Sequence, residues 1–371
     1  MDHQNPISDA NYLEVSNLIK WFGDDRAVDN VSFAIPKGHF LTLLGPSGCG
    51  KTTTLMSIAG LHSIDSGTIR VGDTIYTSPN QGIFLAPEKR DIGMVFQSYA
   101  IWPHMSVAQN VAYPLEIQKL PQDEIDDRVA DVLALVGLTD MADKMATQLS
   151  GGQQQRASLA RAIVGQPKLL LFDEPLSNLD LKLREQMRVE LKRIQNDVGI
   201  TSIYVTHDQA EALVMSDDII VMSKGKIEQM GGPLEIYSTP VNRYVSNFIG
   251  VANLLEGKVA ETGSDGSGQI EVDVPGDPIK IGCRFADNFS AGDEVVLSVR
   301  PENIHPLREK NGEDVLEGTI TSATFLGNYV DCRVDWRGFE WKVISHPRMM
   351  LKEGESIYLK FDTSQILAVK P

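Results

Sequence analysis

The sequence predicts two domains of different class: an α/β domain over residues 11–250 and an all-β domain over residues 251–371. Three observations carry this. Short, nearly continuous apolar runs alternate with helical patterns as far as Gly250; beyond it, apolar and polar residues alternate with period two; and 371 residues are more than one ordinary core accommodates. A composition of 42% apolar and 23% charged residues belongs to a globular chain, neither disordered nor fibrous.

In the first domain, Phe40 to Leu44, Lys168 to Phe172 and Ser202 to Val205 read as strands buried on both faces. Asp123 to Leu138, just after Pro121, sets Ile125, Val129, Val132, Leu133 and Val136 at helical spacing. Strands separated by helices imply parallel βαβ units. In the second domain Ile270, Val272 and Val274 alternate with Glu271 and Asp273, Val330 to Trp336 alternate likewise, and so do Ile357, Leu359 and Phe361. These are half-buried antiparallel strands, hence a small barrel or sandwich. The Gly263–Gly268 stretch fits a hairpin loop better than an interdomain linker, because strand-like residues flank it.

The formal net charge is −16, and neither half of the chain is basic, which excludes nucleic-acid binding through phosphate neutralisation. Cys49, Cys283 and Cys332 lack metal-ligand spacing, so reduced, unpaired thiols in a reducing cytoplasm are expected. Met1 to Pro6 has neither a charged start nor an apolar stretch, so no secretory signal is expected. Every apolar run is shorter than the roughly 18–20 residues of a membrane span, which leaves any membrane role to a partner.

Gly45-Pro46-Ser47-Gly48-Cys49-Gly50-Lys51-Thr52 fits G-x-x-x-x-G-K-S/T between an apolar strand and a helical stretch. Glycines let the loop wrap with its amides inward, and the following helix adds its own amides and positive dipole end. Lys51 then reaches the β and γ phosphates, Thr52 offers a hydroxyl to Mg²⁺, and Thr53 adds a further phosphate contact. This is a nucleoside-triphosphate site. The buried strand 168–172 ends in Asp173 and Glu174 at the carboxyl edge of the sheet, where α/β ligands bind. Asp173 suits a water-mediated Mg²⁺ contact, and Glu174 suits the general base that polarises the attacking water.

Leu149-Ser150-Gly151-Gly152-Gln153 precedes a helical face of Ala157, Ala160, Ile163 and Val164. Ser150 can cap this helix while the glycines leave its amides open, giving a second anion-binding end. One chain needs only one phosphate cradle. The second is best explained if two copies meet head to tail, each closing the other's site.

With these motifs in this order, the sequence resembles the ATP-binding subunits of ABC transporters over nearly its whole length. The resemblance implies an α/β P-loop NTPase fold, an ABC cassette with a helical subdomain at about 98–160, and ATP with Mg²⁺ as its ligands. It implies that Gln97 touches Mg²⁺ and the attacking water, that His207 contacts the γ phosphate, and that the 177–180 loop crosses a homodimer interface. It also implies an adenine-stacking aromatic directly before Gly23, which selects Phe22, with Trp21 the alternative.

Residues 97–110 resemble importer subunits, where this region receives a helix from the membrane protein; Tyr99, Ile101, Trp102 and Met105 would face that partner, or else the interior of the helical subdomain. Asn247 to Gly250, Ser298 to Asn303 and Phe325 to Gly327 resemble the OB-like barrel domain of sugar, polyamine and iron(III) importer ATPases, which serves dimerisation and regulation. The implied partners are membrane permease subunits and, indirectly, a solute-binding protein, with the chain peripheral on the cytoplasmic face of the cell membrane. The 95–110 segment leans towards iron(III) or polyamine cargo over sugar. Three rivals fit less well. A P-loop kinase has no use for 149–153, a soluble ABC ATPase would need two cassettes or a long coiled coil, and an exporter would not need the C-terminal β domain.

Overall fold

The computed structural model describes residues 11–263, 265–275, 278–311 and 315–371. The readings made on Met1 to Pro6 and on Ser264 lie outside those residues. Two compact units emerge, one ending at Pro233 and one running from Leu234 to Pro371.

In chain order the first unit contains β1 (Asn11–Phe22), β2 (Asp25–Pro36), β3 (Phe40–Leu44), α1 (Lys51–Ala59), β4 (Ser66–Val71), β5 (Thr74–Ser78), β6 (Ile83–Phe84) and β7 (Ile92–Val95). Next come α2 (Val107–Ile117), α3 (Gln122–Leu135), α4 (Gly151–Ile163), β8 (Leu169–Asp173), α5 (Leu181–Val198), β9 (Thr201–Thr206), α6 (Gln209–Met215), β10 (Asp218–Ser223) and β11 (Lys226–Gly231). The central sheet has the order β11-β10-β3-β9-β8-β7, parallel throughout except for the β10–β11 hairpin. A second, antiparallel sheet has the order β2-β1-β4-β5-β6.

The apolar runs are strands for the reason their composition suggests: the central sheet is covered on both faces. Phe40, Leu170, Phe172 and Tyr204 point into one core with the helices α2 to α5. Their strand neighbours Leu41, Leu43, Leu169, Leu171, Ile203 and Val205 point into another, shared with α1 and the antiparallel sheet. Each such side chain removed from water contributes about 1.5–3 kcal/mol, so a polar residue at either parity would be costly.

The second unit begins with α7 (Pro233–Ser238) and α8 (Arg243–Phe248) and continues as β12 (Asn253–Thr262), β13 (Ser267–Val272), β14 (Ile279–Phe285), β15 (Glu294–Val299) and β16 (Ile304–Leu307). It ends with β17 (Val315–Phe325), β18 (Val330–Trp336), β19 (Phe339–Ser345), β20 (Ser356–Phe361) and β21 (Leu367–Val369). Strands β12, β13, β14, β21 and β15 close a barrel, and β16-β20-β17-β18-β19 form a sheet over it, with Trp341 in the shared core. β12 and β13, consecutive in the chain, pair antiparallel. The α8 helix belongs to this unit: Ser246 Oγ lies 2.6 Å from Ser298 Oγ, and the Arg300 guanidinium donates to the Ser246 carbonyl at 3.0 Å.

Candidate active site

Four adjacent parallel strands end at one edge of the central sheet. Leu44 of β3 aligns with Thr206 of β9, Val205 of β9 with Asp173 of β8, and Phe172 of β8 with Val95 of β7. The chain leaving each strand carries one expected element: Gly45–Thr52 after β3, Glu174 after β8, His207 after β9 and Gln97 after β7. The carboxyl edge of the sheet thus collects residues that lie far apart in sequence.

The loop after β3 is tight because two positions tolerate no side chain. A Cβ on Gly45 would come within 2.5 Å of Cys49 Sγ and the Met222 carbonyl. Gly50, at φ 102°, caps α1 from a left-handed conformation, and a Cβ there would meet the Ala27 carbonyl at 2.5 Å. Having no side chain, Gly50 leaves the first amides of α1 uncapped, at the positive end of the helix dipole. Lys51 folds back over the loop, donating from Nζ to the carbonyls of Gly45 at 2.8 Å and Pro46 at 2.9 Å. It is 4% exposed, and among the described residues no carboxylate lies within ion-pair distance of it. A buried ammonium with no carboxylate in ion-pair reach is costly until an anion arrives. Burial also pushes the Cys49 thiol up, with the Lys51 ammonium opposing. At its far end α1 meets Arg90, fully buried, whose guanidinium donates to the carbonyls of Ser57 and Ile58 and so places a cation at the negative end of the dipole.

Thr52 Oγ1 donates to Asp173 Oδ1 at 3.1 Å, which joins the loop to β8. Burial raises the Asp173 pKa; the Thr52 hydrogen bond opposes the rise, and the neighbouring Glu174 adds to it. Glu174 turns the chain out of the strand through a left-handed φ of 44°, its N–H donating to the Val205 carbonyl at 3.1 Å. That kink brings Glu174 Oε2 to 3.1 Å from His207 Nδ1.

His207 stands on a buried polar base. Thr206 Oγ1 donates to Glu211 Oε2 at 2.6 Å and accepts from the Asp208 N–H at 3.0 Å, while the Tyr204 hydroxyl donates to the same carboxylate oxygen at 2.9 Å. Burial raises the Glu211 pKa, and the Thr206 hydrogen bond is the largest opposing influence. Arg184 of α5 bridges Asp208 Oδ2 at 3.4 Å and the Leu179 carbonyl at 3.1 Å, linking the His207 turn to the 177–180 loop.

Gln97 is exposed, and its backbone carbonyl accepts from Asn178 Nδ2 at 2.8 Å, so the 177–180 loop also holds the end of β7. Phe22 and Trp21 are both half-exposed, but Trp21 has the Arg26 guanidinium 4.4 Å from its ring centre, whereas Phe22 lies edge-on to His62 and near the Lys20 ammonium. Ser150 is the N-cap of α4: its hydroxyl accepts from the Gln153 N–H at 3.4 Å, and Gln153 Oε1 accepts from the Ser150 N–H at 2.9 Å. Gly151 and Gly152 begin the helix, with Gly152 buried against Leu183. Among the described residues, no hydrogen bond or ion pair joins 149–153 to the 45–53 loop. The structure therefore gathers Lys51, Thr52, Asp173, Glu174 and His207 into one cluster and leaves Ser150–Gln153 apart from it.

Of the four aromatic or apolar residues expected to face a partner, Tyr99 is buried in the helical core and Ile101 packs against it, while Trp102 and Met105 are half-buried. The sequence reading missed Asn178, Arg184, Glu211 and Arg90. Asn178 sits within the 177–180 loop and could have been singled out; the other three are charges whose partners have no sequence signature.

Residues 28–177 match the ABC transporter family and residues 297–369 the TOBE domain family. The chain is 42% identical to the trehalose/maltose import ATP-binding protein of Thermococcus litoralis, across 95% of this chain and 96% of that protein. It is 47% identical to a spermidine/putrescine import ATP-binding protein of Pseudomonas aeruginosa, across 85% of both. It is 40% identical to an Fe(3+) ions import ATP-binding protein of Pectobacterium atrosepticum, across 95% of both. Among solved structures, cbiO1 of Clostridium perfringens, part of an ABC transporter complex, superimposes with a TM-score of 0.56 at 31% identity, covering 61% of this chain and 90% of that one. With matches to an ABC transporter cassette and a TOBE domain, and 40–47% identity to import ATP-binding subunits over 85% or more of each chain, the chain belongs to the family of ABC import ATP-binding subunits, ATPases whose hydrolysis is coupled to import.

Proposed function

We propose that two copies of this chain close head to tail around two ATP molecules and drive a membrane importer by opening and closing. The observation that carries this reading is the buried Lys51 ammonium, held by two loop carbonyls at the N-terminus of α1 with no carboxylate of the described residues within ion-pair distance. Lys51, the backbone N–H groups of the Gly45–Lys51 loop, Pro46 having none, and the Thr53 hydroxyl bind the triphosphate, and Phe22 stacks on the adenine. Thr52 and Asp173, with Gln97, form a hard all-oxygen donor set suited to Mg²⁺, which when bound would neutralise charge on the phosphates. Glu174 accepts the proton of the attacking water as general base, and His207 both orients Glu174 and contacts the γ phosphate. Ser150–Gln153 of the second copy close the site with the Ser150 hydroxyl and the amides of Gly151 and Gly152 at the N-terminus of α4.

Within this reading, the unit ending at Pro233 is the nucleotide-binding domain, 98–160 its helical subdomain, and the unit from Leu234 to Pro371, which takes in residues 234–250 expected in the first domain, is the regulatory and dimerising domain. ATP binds the closed pair better than the open one, so binding and hydrolysis shift the population between them. Permease subunits on the cytoplasmic side of the cell membrane receive that motion through residues 97–110. Among the described residues no helix is long and apolar enough to cross a membrane, which supports a peripheral location. The solute is chosen by the permeases and a solute-binding protein. The 95–110 segment and the polyamine and iron(III) relatives favour those cargoes, and the sugar relative supports the second choice.

The test is a mixed cross-link. Chains carrying Ser47→Cys are combined with chains carrying Ser150→Cys under mild oxidation. A heterodimeric disulfide that forms when oxidation is applied with ATP bound, and does not form when oxidation is applied after the ATP has been hydrolysed, supports the reading; no cross-link at saturating ATP overturns it.

A further inference from the structure

The backbone that follows Gln97 is strained and clamped. Tyr99 and Ala100, two consecutive non-glycine residues, have φ values of 61° and 48°, a left-handed conformation that L-residues hold only under constraint. The constraint comes from α4. Arg161 donates from Nη1 to the Ala100 carbonyl at 2.7 Å and from Nη2 to the Tyr99 carbonyl at 3.1 Å, and Ser158 Oγ donates to the Tyr99 carbonyl at 2.8 Å. The same guanidinium lies 4.5 Å from the centre of the Trp102 ring. Trp102 is fixed in turn by Asn110, fully buried, whose Oδ1 accepts from the Trp102 N–H at 2.9 Å and whose Nδ2 donates to the Trp102 carbonyl at 3.1 Å.

On the other side of Gln97, α4 touches β7 directly. A Cβ on Gly93 would lie 2.2 Å from the Ala162 carbonyl oxygen, so strand and helix backbones meet with no side chain between them. Gln97 is therefore bracketed by contacts with the last turn of α4: Gly93 before it, Tyr99 and Ala100 after it. The other end of this 13-residue helix is the Ser150 cap.

We infer that α4 transmits nucleotide engagement at Ser150 to Gln97, with Arg161 as the positioning residue through which the loop is held to the helix. A planar guanidinium fixed by two carbonyls and a ring is a discrete contact that is either made or broken. A displacement of α4 then moves loop 97–102 with it, or parts it from Arg161. This inference rests on the head-to-tail ATPase reading, whose own tests are wild-type ATP turnover and the mixed cross-link.

The experiment uses the full-length chain. KM and kcat for ATP hydrolysis are measured together with the ATP-induced fluorescence change of Trp102, defined as the signal absent from Trp102→Phe. Wild type is expected to give that change. Arg161→Ala is expected to lose it, with kcat reduced about 10-fold or more and KM within about 2-fold of wild type, the split that marks an interaction used in turnover rather than in binding. An Arg161→Ala chain with wild-type kcat and the wild-type fluorescence change overturns the inference, as does a wild-type chain whose Trp102 ignores ATP. Should Arg161→Ala fail to fold, Arg161→Lys and Ser158→Ala carry the test. Each keeps a cation over Trp102 but loses part of the carbonyl clamp, and each is expected to lower kcat about 3-fold without moving KM. Unchanged kcat in both overturns the inference.

Discussion

His207 Nδ1 lies 3.1 Å from Glu174 Oε2, and the two residues leave the ends of adjacent parallel strands. The sequence reading gave them separate tasks, one as base and one as contact to the γ phosphate. Their hydrogen bond makes them a unit in which the imidazole aims the carboxylate, the same logic by which a third group orients a catalytic base. Residues acting as a unit give non-additive losses. Glu174→Gln and His207→Ala should each reduce kcat by roughly a hundredfold or more, and the double variant should be no worse than the worse single. Steady-state ATPase assays of the four chains measure this; a double variant whose losses multiply would show that the pair acts independently. Glu174→Gln should in addition bind ATP and accumulate as a dimer.

Lys51 gives a sharper contrast between stability and binding. Its ammonium is buried without a carboxylate partner, so Lys51→Met removes an uncompensated charge while keeping a flexible chain of similar length. The melting temperature of the variant without nucleotide should equal or exceed that of wild type, because the buried charge costs more than its bonds to two carbonyls return. Its affinity for ATP should fall by about a hundredfold or more, since a charge-assisted phosphate contact is lost in a dry site. Calorimetric titration with ATP and a thermal melt decide the matter; a variant that melts far below wild type would mean that Lys51 is a structural residue.

Asp173 leads to a pH prediction. Its folded-state pKa is raised, chiefly by burial, above the unfolded carboxylate value. A raised pKa means that the folded chain binds the proton more tightly than the unfolded one. The stability gained from protonation is therefore fully present below about pH 4 and is lost as pH rises through the folded-state value. At neutral pH ionised Asp173 thus weighs against folding. Asp173→Asn, which still offers Thr52 an acceptor oxygen, should melt a few degrees higher at pH 7, and the gain should vanish as pH falls to about 4. The same variant should be inactive, a trade of stability for function. Equal melting temperatures at pH 7 would contradict it.

The parts of this molecule that were legible in sequence are those that one short segment encodes alone. The continuous apolar runs became β3, β8 and β9 because both sheet faces are covered, and Gly45–Thr52 became a phosphate loop because its glycines leave no other backbone path. Period-two alternation likewise gave β13, β18 and β20. What could not be read are contacts between segments. Tyr99 read equally as partner-facing or interior, and only the packed helical core places it inside. Arg90, Arg184 and Glu211 resemble any other charged residue until the fold brings helix ends and hydroxyls around them. A left-handed Glu174 is similarly invisible, since nothing in its residue type announces that its N–H will bond to Val205.

Ser150 offers the most discriminating prediction because it has two tasks that can be separated. As N-cap of α4 it accepts from the Gln153 N–H, and replacing it with alanine should cost about 1 kcal/mol, or roughly 2–4 °C of melting temperature for a unit of this size. As the head of an anion-binding helix end it should also matter for turnover, in the second copy's site and not in its own. Ser150→Asp distinguishes the two. Aspartate caps as well as serine, so stability should return to the wild-type value, yet its charge would face the phosphates of the opposing nucleotide. The expected pattern is a lowered melting temperature for Ser150→Ala only, unchanged ATP affinity of the isolated chain for both, and turnover reduced more by aspartate than by alanine. In mixtures with Lys51→Met chains, Ser150→Asp should leave one site of each mixed pair intact, because head to tail both lesions fall in the same site, whereas placing both substitutions in one chain and mixing with wild type should leave no intact site in a mixed pair, because one site lacks the lysine and the other faces aspartate. The reverse pattern, with more activity per mixed pair when both substitutions share one chain, would mean that each chain completes its own site, and the head-to-tail arrangement would fall.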